Sequence, residues 1–213
     1  MKFEERKLEA LKFVKEDNYM EAFKLFSALL YENPQDLKCV EMIVFLFDRI
    51  NEGHYDFQPS TAEEYISRGV ARFYKGELTE SIIDYNLAIK LNPNADYAYK
   101  CKAFTLMNEE KYLLAIEELK KAIAINERGE YYDDIAENLS RAGMDKEAIE
   151  YHEKAIQISP NDARLWYNYG THLGELNLIA SAVLKFQKAI ELHPNYDDAK
   201  HNLNYYYEKL HNI

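Results

Sequence analysis

The sequence predicts an all-α protein, a solenoid of stacked helical hairpins. An apolar residue, one spacer and then Pro-Asn occur three times, at Pro93, Pro160 and Pro194. Pro194 follows Pro160 after about 34 residues, and Pro160 follows Pro93 after close to twice that distance. Between these prolines, apolar residues recur at i, i+3, i+4 and i+7, which places them on one face of a helix. Such a fixed period indicates repeated supersecondary units.

Each predicted repeat contains two helices. The first helix is clearest at Tyr132, Ile135, Ala136 and Leu139, and the run from residue 146 to 158 repeats the same spacing as the second helix. Small residues on both helices allow close approach, and we expect those of the first helix to face alanines of the second. They are Gly69, Ala103, Ala136 and Gly170 on first helices, and Ala122, Ala155 and Ala189 on second helices. Proline ends the second helix, and the asparagine after it is predicted to cap the next first helix.

Composition and motifs exclude several classes of function. The 26 basic and 37 acidic residues give a net charge of −11, which disfavours nucleic acid as a partner. Acidic residues interrupt the N-terminal segment where a signal peptide would be apolar, and no run reaches the roughly 18 apolar residues of a membrane span. We therefore expect a cytoplasmic protein without membrane contact. The two cysteines are predicted to be reduced thiols, and no metal, cofactor or catalytic motif is present, so the sequence predicts a chain that is not an enzyme.

One repeat carries a family resemblance. This repeat contains Trp166, Tyr169, Gly170 and Leu173, followed by Ala182-x3-Phe186 and Pro194. These residues resemble the tetratricopeptide pattern W-x2-L-G-x2-Y, A-x3-F, P, with Tyr169 in the place of leucine. Counterparts upstream extend the resemblance over about nine-tenths of the chain. It implies a right-handed α-solenoid with a C-terminal capping helix.

The spacing of the prolines predicts the domain organisation. The interval from Pro34 to Pro93 is roughly nine residues shorter than two repeats, so one repeat between them is predicted to lack its second helix. We expect an N-terminal repeat plus an unpaired helix at residues 1–50 and an irregular linker at 51–61. Four tandem repeats should follow at 62–194, and a capping helix at 195–213.

The resemblance also implies where a partner binds. In this family the first helices line a concave groove, which predicts a non-catalytic scaffold or adaptor that binds a protein or peptide segment. Of the positions that face the groove, the candidate contacts are Phe73, Tyr97, Lys100, Phe104, Glu130, Asp133, Glu137, Arg164 and Tyr167. They are apolar and aromatic at one end and acidic in the middle, so we expect a basic peptide with an aromatic or aliphatic anchor.

Two alternatives accompany this interpretation. Some relatives grip a C-terminal carboxylate with Lys and Asn, or Lys and Arg, at positions i and i+4 of one helix. Lys100 is followed by Phe104 and Arg164 by Asn168, so that clamp is not predicted here. The alternative function is a structural subunit that forms homo-oligomers, with Phe45, Leu46 and the cluster 205–207 joining copies.

Overall fold

The helices of the chain pack into two compact units, residues 1–111 and 112–213. The computed structural model describes residues 2–52 and 58–211, and every regular element in those ranges is an α-helix. The first unit holds α1 (Phe3–Lys15), α2 (Tyr19–Glu32), α3 (Leu37–Glu52), α4 (Ala62–Tyr74), α5 (Leu78–Leu91) and α6 (Asp96–Asn108). The second unit holds α7 (Tyr112–Ile125), α8 (Gly129–Arg141), α9 (Asp145–Ile158), α10 (Ala163–Glu175), α11 (Ile179–Leu192) and α12 (Asp197–His211).

In the first unit a single helix stands between two hairpins. The hairpins are α1 with α2 and α4 with α5, and α3 packs against both α2 and α4. The predicted start of the linker is too early, since α3 continues through Glu52; residues 53–57 of that linker lie outside the described residues. The suggestion that Leu46 joins copies of the chain is wrong, because its side chain is fully buried in the core of this unit.

The second unit contains two hairpins flanked by single helices. These hairpins are α8 with α9 and α10 with α11, while α7 packs on α8 and α12 packs on α10 and α11. From α12, Tyr206 stacks on the Phe186 ring with centroids 5.7 Å apart and covers Gly174 so closely that a Cβ there would collide with it. The last helix therefore covers the apolar face of the preceding hairpin.

Inside the hairpins, aromatic rings of the second helix pack against small residues of the first helix. A Cβ added to Gly69 would lie 2.5 Å from the Tyr85 ring, and one added to Gly170 would lie 2.8 Å from the Phe186 ring. The atoms nearest to each of these glycines therefore belong to a ring of the second helix, and not to an alanine. Real Cβ contacts are longer than these distances, so the glycines let the ring of the second helix approach the backbone of the first.

Residues in the left-handed conformation follow the C-termini of α1, α4, α6, α8 and α10. Asp17, Gly76, Glu110, Gly143 and Asn177 all have φ between 56° and 80°. After each one, a backbone N–H bonds back to the carbonyl at position i−5, as between Met144 N and Leu139 O at 2.8 Å. These bonds are those of the Schellman motif, which satisfies the free carbonyls at a helix C-terminus.

The Pro-Asn phrase ends helices as predicted, but its asparagine is not a cap. The residue before each proline leaves the helical region, as at Asn92 with φ −134° and ψ 94°, because the proline ring excludes the helical conformation from its predecessor. The helix after Pro160 begins at Ala163, and there the carboxylate of Asp162 accepts the N–H of Arg164 at 3.0 Å. The cap of α10 is therefore the aspartate after the asparagine, whereas α6 has Ala95 at its N-cap and no side-chain cap.

A buried ion pair replaces apolar contacts in the α4–α5 hairpin. Arg68 donates two hydrogen bonds to Asp84, at 3.0 and 2.6 Å, and Arg72 donates a third at 2.9 Å. The Asp84 side chain is 0% exposed. Removing Asp84 would leave two arginines without their counter-charge, at a cost of about 3 to 5 kcal/mol, the usual loss when one side of a buried ion pair is removed.

The two cysteines are buried thiols of the first unit. Cys39 faces the core from α3, and Cys101 lies on α6. Burial, with the nearby carboxylate of Asp36, raises the pKa of the Cys39 thiol to about 11. The thiolate, which is the reactive form, is therefore scarce at neutral pH.

Replacing a buried alanine should test the close packing. Ala155 is fully buried on α9, and its carbonyl oxygen lies beneath Gly129 of α8. Ala155→Leu should lower the free energy of unfolding by about 1 to 3 kcal/mol through overpacking. The matched control Gln157→Leu places the same side chain on the exposed surface of α9 and should change it by about half a kcal/mol at most. Denaturant unfolding measures both, and equal losses would contradict the packing assignment.

Candidate functional site

Seven of the nine predicted groove residues line one of two clefts, and each unit contains one of these clefts. Phe73, Tyr97, Lys100 and Phe104 all line a cleft of the first unit, named here the aromatic cleft. Its volume is about 210 Å³. The other lining residues are Pro34, Gln35, Leu37, Val40, Val70, Tyr74, Tyr85 and Cys101. Helices α3, α4, α5 and α6 supply most of these side chains, so the unpaired helix α3 forms one wall.

Aromatic rings dominate the open side of the aromatic cleft. The Phe73 ring lies 5.2 Å from the Phe104 ring and 5.4 Å from the Tyr74 ring, centroid to centroid. Phe104 remains 48% exposed and Tyr74 59% exposed. Large apolar side chains left in contact with water beside a cavity favour burial against a ligand.

The second unit contains a larger and more polar cleft, named here the polar cleft. Of the predicted contacts, the lining includes Asp133, Glu137 and Tyr167, but not Glu130 or Arg164. Its volume is about 470 Å³. The remaining lining residues are Ser140, Arg141, His152, Asn168, Thr171, His172 and Glu175. They come from α8, α9 and α10.

Asp133 is a buried hydrogen-bond acceptor, so the expectation of an exposed carboxylate is wrong. Only 8% of the residue is exposed. Its Oδ1 lies 3.0 Å from Nδ1 of His152, and its Oδ2 accepts a hydrogen bond from Asn168 Nδ2 at 2.7 Å. A carboxylate with both oxygens bonded inside the protein fixes neighbouring helices and offers little charge to a ligand.

The other two predicted carboxylates are paired with arginines. Glu137 accepts two hydrogen bonds from Arg141, at 3.1 and 2.8 Å, one helical turn away. Glu130 lies 3.9 Å from the guanidinium of Arg164 and 3.5 Å from that of Arg128. The acidic centre predicted from spacing therefore exists, but its charges are largely compensated within the chain.

The structure brings together two histidines that the sequence motifs did not connect. The rings of His152 and His172 lie 5.2 Å apart, and the His152 ring also stacks on Tyr169 at 5.2 Å. His172 Nε2 lies 3.5 Å from Asp145 Oδ1, and burial, followed by the neighbouring His152, lowers the pKa of His172 below its ordinary value of 6.5. The two histidines lie on different helices, α9 and α10, beyond the short sequence spacings of metal and catalytic motifs. The repeat period was the signal that could have connected them.

Neither a metal cluster nor a membrane span is found in the described part of the chain. Residues 2–52 and 58–211 contain no group of three or more His, Cys, Asp or Glu side chains that could hold a metal ion. No helix within the same ranges combines the length and apolar character needed to cross a bilayer.

Comparison with protein families gives the same repeat as the sequence pattern. The tetratricopeptide repeat model matches residues 62–95 and 129–162, which cover the α4–α5 and α8–α9 hairpins. The chain therefore contains tetratricopeptide repeats. The predicted fold class, an all-α solenoid of helical repeats, is confirmed by these matches and by the solved structures below.

Curated relatives of this repeat protein are much longer than it is. It is 24% identical over 148 residues to the TPR repeat-containing protein MJ1428 of Methanocaldococcus jannaschii, covering 68% of this chain and 24% of that protein. It is also 28% identical over 134 residues to a UDP-N-acetylglucosamine–peptide N-acetylglucosaminyltransferase of Giardia intestinalis, covering 62% of this chain. That match spans only 9% of the transferase.

Solved tetratricopeptide structures resemble the repeat protein in fold. The structure of YrrB, described as a TPR protein with an unusual peptide-binding site, has a TM-score of 0.52 and 23% identity, over 78% of this chain and 84% of that chain. Cut9 in complex with Hcn1 has a TM-score of 0.64 and 17% identity, over 90% of this chain and 40% of that chain. MamA has a TM-score of 0.55 and 20% identity, over 89% and 96%.

Acid should destabilise the protein through His172. The unfolded ring titrates near 6.5 and the folded ring at a lower pKa, so below pH 6.5 the unfolded state binds more protons. This contribution to stability is present at pH 7 and is lost as the pH falls through the folded pKa. Its slope is at most about 1.4 kcal/mol per pH unit. Between pH 7 and 5.5, the free energy of unfolding measured in urea should fall more steeply for the natural protein than for His172→Gln. Parallel curves would contradict an origin of this pH dependence in His172.

Proposed function

We propose that the chain is a non-catalytic scaffold that binds a peptide segment of a protein partner, with an aliphatic or aromatic side chain of the peptide in the aromatic cleft. The observation that carries this proposal is the Phe73–Tyr74–Phe104 cluster, in which Tyr74 and Phe104 stay about half exposed beside a cavity of about 210 Å³. Pockets for drug-sized ligands are larger, about 300 to 1,000 Å³, so the cavity suits one large side chain of a peptide.

Charge favours a basic peptide over an acidic one. The chain carries a net charge of −11, so its long-range field attracts cations and repels anions. Asp133 is buried and hydrogen-bonded, and Glu137 and Glu130 are paired with arginines. This preference is therefore assigned to the summed field and should weaken with added salt. The cytoplasmic location stays a prediction from the sequence, and the scaffold role does not depend on it.

A self-assembling subunit is the second candidate, and exposed side chains on α12 favour it. Tyr205, Tyr207 and Leu210 remain exposed on that helix, while Phe45 of α3 lies partly exposed beneath the guanidinium of Arg49 at 5.3 Å. Light scattering over a range of protein concentrations separates the two functions. A peptide scaffold can stay monomeric, whereas an assembling subunit grows in mass with concentration.

Truncating Phe104 should weaken peptide binding. Ligands selected from a random displayed peptide library, measured by calorimetry, should lose about 1 to 2 kcal/mol on Phe104→Ala because the anchor side chain loses its apolar wall. That loss corresponds to about a five- to thirty-fold rise in Kd. The matched control Ile83→Ala removes a side chain of similar exposure from α5, outside the cleft, and should leave Kd unchanged.

Two results would overturn the assignment to the aromatic cleft. One is an unchanged Kd for Phe104→Ala with every selected peptide. The other is an equal loss for both variants, which would mean that general loss of exposed apolar surface explains the effect. Thermal melts of both variants identify any loss that arises from unfolding.

A further inference from the structure

Helix α3 has the register of a first helix but no second helix of its own. Val40 follows Pro34 at the same distance as Trp166 of α10 follows Pro160, so the two helices occupy equivalent places in the repeat. The first helices α4, α8 and α10 each pack against the second helix that comes next in the chain. After α3 the next described helix is α4, which is itself a first helix. The repeat that begins with α3 is therefore half of a hairpin.

The hairpin of α8 and α9 shows which face of a first helix the second helix covers. A Cβ added to Gly129 would lie 2.7 Å from a backbone oxygen of α9, and the Tyr132 ring lies 6.2 Å from the Tyr151 ring of α9. Ala136, one turn after Tyr132, is fully buried. These residues of α8 stand at i, i+3 and i+7, so they form one stripe along the helix.

The same stripe of α3 is apolar and open to water. It consists of Leu37, Val40 and Val44, named here the open stripe. Leu37 is 71% exposed, whereas Val40 and Val44 contact the core and remain partly exposed. At the position of Val44, the other first helices have small residues that are all buried, namely Ala10, Gly69, Ala103, Ala136 and Gly170.

The open stripe continues into the aromatic cleft. Leu37 and Val40 line that cleft together with Phe73 of α4 and Phe104 of α6. A segment that lies along the open stripe therefore has the aromatic cleft beside it. Exposed apolar side chains that adjoin a cavity are typical of a surface that binds a partner.

The hairpins also indicate what covers such a stripe, which is a helix. The second helices α2, α5, α9 and α11 each contain 14 residues. The segment 53–61 between α3 and α4 is shorter than that and includes Pro59, so it is too short to supply one. A second copy would offer α12, whose exposed side chains include Tyr205 and Tyr207. Rings pack against glycine in the hairpins, whereas Val44 fills that space with two methyl groups, so the stripe favours a helix of another protein.

We propose that the open stripe of α3 binds an amphipathic helix of the partner protein, which takes the place of the missing second helix beside the aromatic cleft. The proposal rests on the proposed scaffold function and deepens it, since it assigns the bound peptide a conformation. Because Val44 is larger than glycine or alanine, the helix should present an aliphatic side chain opposite it, where the chain's own second helices present a ring. The net charge of −11 favours basic residues on the outer face of the helix.

A designed helical peptide provides the test. The probe is a blocked 14-residue peptide of lysine and alanine with leucines at i, i+4 and i+7, and the control peptide has proline in place of a central alanine. Both peptides carry the same charge, so the field of the protein acts equally on them, while proline breaks the helix. The helical probe should shift the methyl NMR resonances of Leu37, Val40 and Val44 saturably, with a Kd about fivefold or more below that of the control. No saturable shift, or equal Kd values, would overturn the proposal.

A matched pair of leucines tests the assigned surface. Leu37→Gln should raise the Kd of the helical probe about five- to tenfold, because an apolar side chain is lost from the contact. The control Leu8→Gln changes a leucine of similar exposure, 67%, on α1 of the same unit and should leave the Kd unchanged. Equal effects of the two variants would overturn the assignment to the open stripe.

A change of size at Val44 tests the position of the helix. When the central leucine of the probe is replaced by phenylalanine, the natural protein should bind the probe about fivefold more weakly, because the ring meets Val44. Val44→Ala recreates the pairing of a ring with a small residue and should restore the affinity. Loss of this compensation would overturn the proposal. Val44 does not line the aromatic cleft, so an extended peptide held by that cleft alone would not show the effect.

Other occupants and the failure of the scaffold function give different results. A mass that grows with concentration in the natural protein but not in Val44→Thr would identify a second copy as the occupant and overturn the assignment to a partner. Library peptides that depend on Phe104 but tolerate a central proline would retain the scaffold function and reject this inference. A helical probe that shows the Val44→Ala compensation and ignores Phe104→Ala would retain this inference and reject the aromatic cleft as the anchor site.

Discussion

The packing of an aromatic ring against a residue without a bulky side chain is the contact on which the hairpins depend. Tyr85 covers Gly69, Phe186 covers Gly170, and from α12 Tyr206 covers Gly174. His152 occupies the position one repeat before Phe186, opposite the small residue Ala136. The same constraint that buries a phenylalanine in one hairpin therefore buries an imidazole in the preceding one. Since a buried imidazole needs partners, Asp133 and Asn168 accompany it, and the polar cleft follows from the packing rule.

The two clefts differ because their hairpins satisfy burial in different ways. In the first unit the ionic group, Asp84 with Arg68 and Arg72, lies between the helices of one hairpin. The surface left for the cleft is then aromatic. In the second unit the polar groups lie along the cleft itself, and its walls are imidazole, amide and carboxylate. A single repeated fold thus presents an apolar site and a hydrogen-bonding site without any change in backbone design.

The sequence predicted the helices well and the side-chain partners less well. Periodicity and proline spacing depend on local chemistry, so they located the hairpins and the unpaired helix α3. The cap at Asp162 and the burial of Asp133 depend on neighbours that only the packed structure provides. Arg68 and Arg72 stand where the repeat at 129–162 has Ile135 and Leu139, and their partner Asp84 lies on the next helix. The candidate residues Phe73, Tyr97, Lys100 and Phe104 line one cleft, and their contact with a peptide stays a prediction.

The placement of the thiols gives the molecule an internal kinetic reporter. The chain has two cysteines, and both are buried in the first unit, one of them with a strongly raised pKa. Cys39 is 0% exposed and lines neither cleft, so a water-soluble alkylating reagent can reach this thiol only when that unit opens. The rate of modification in native buffer therefore measures the opening free energy of residues 1–111 separately, while the second unit contributes no signal. Amide exchange over the whole chain, compared with this rate, would show whether the two units unfold together or independently.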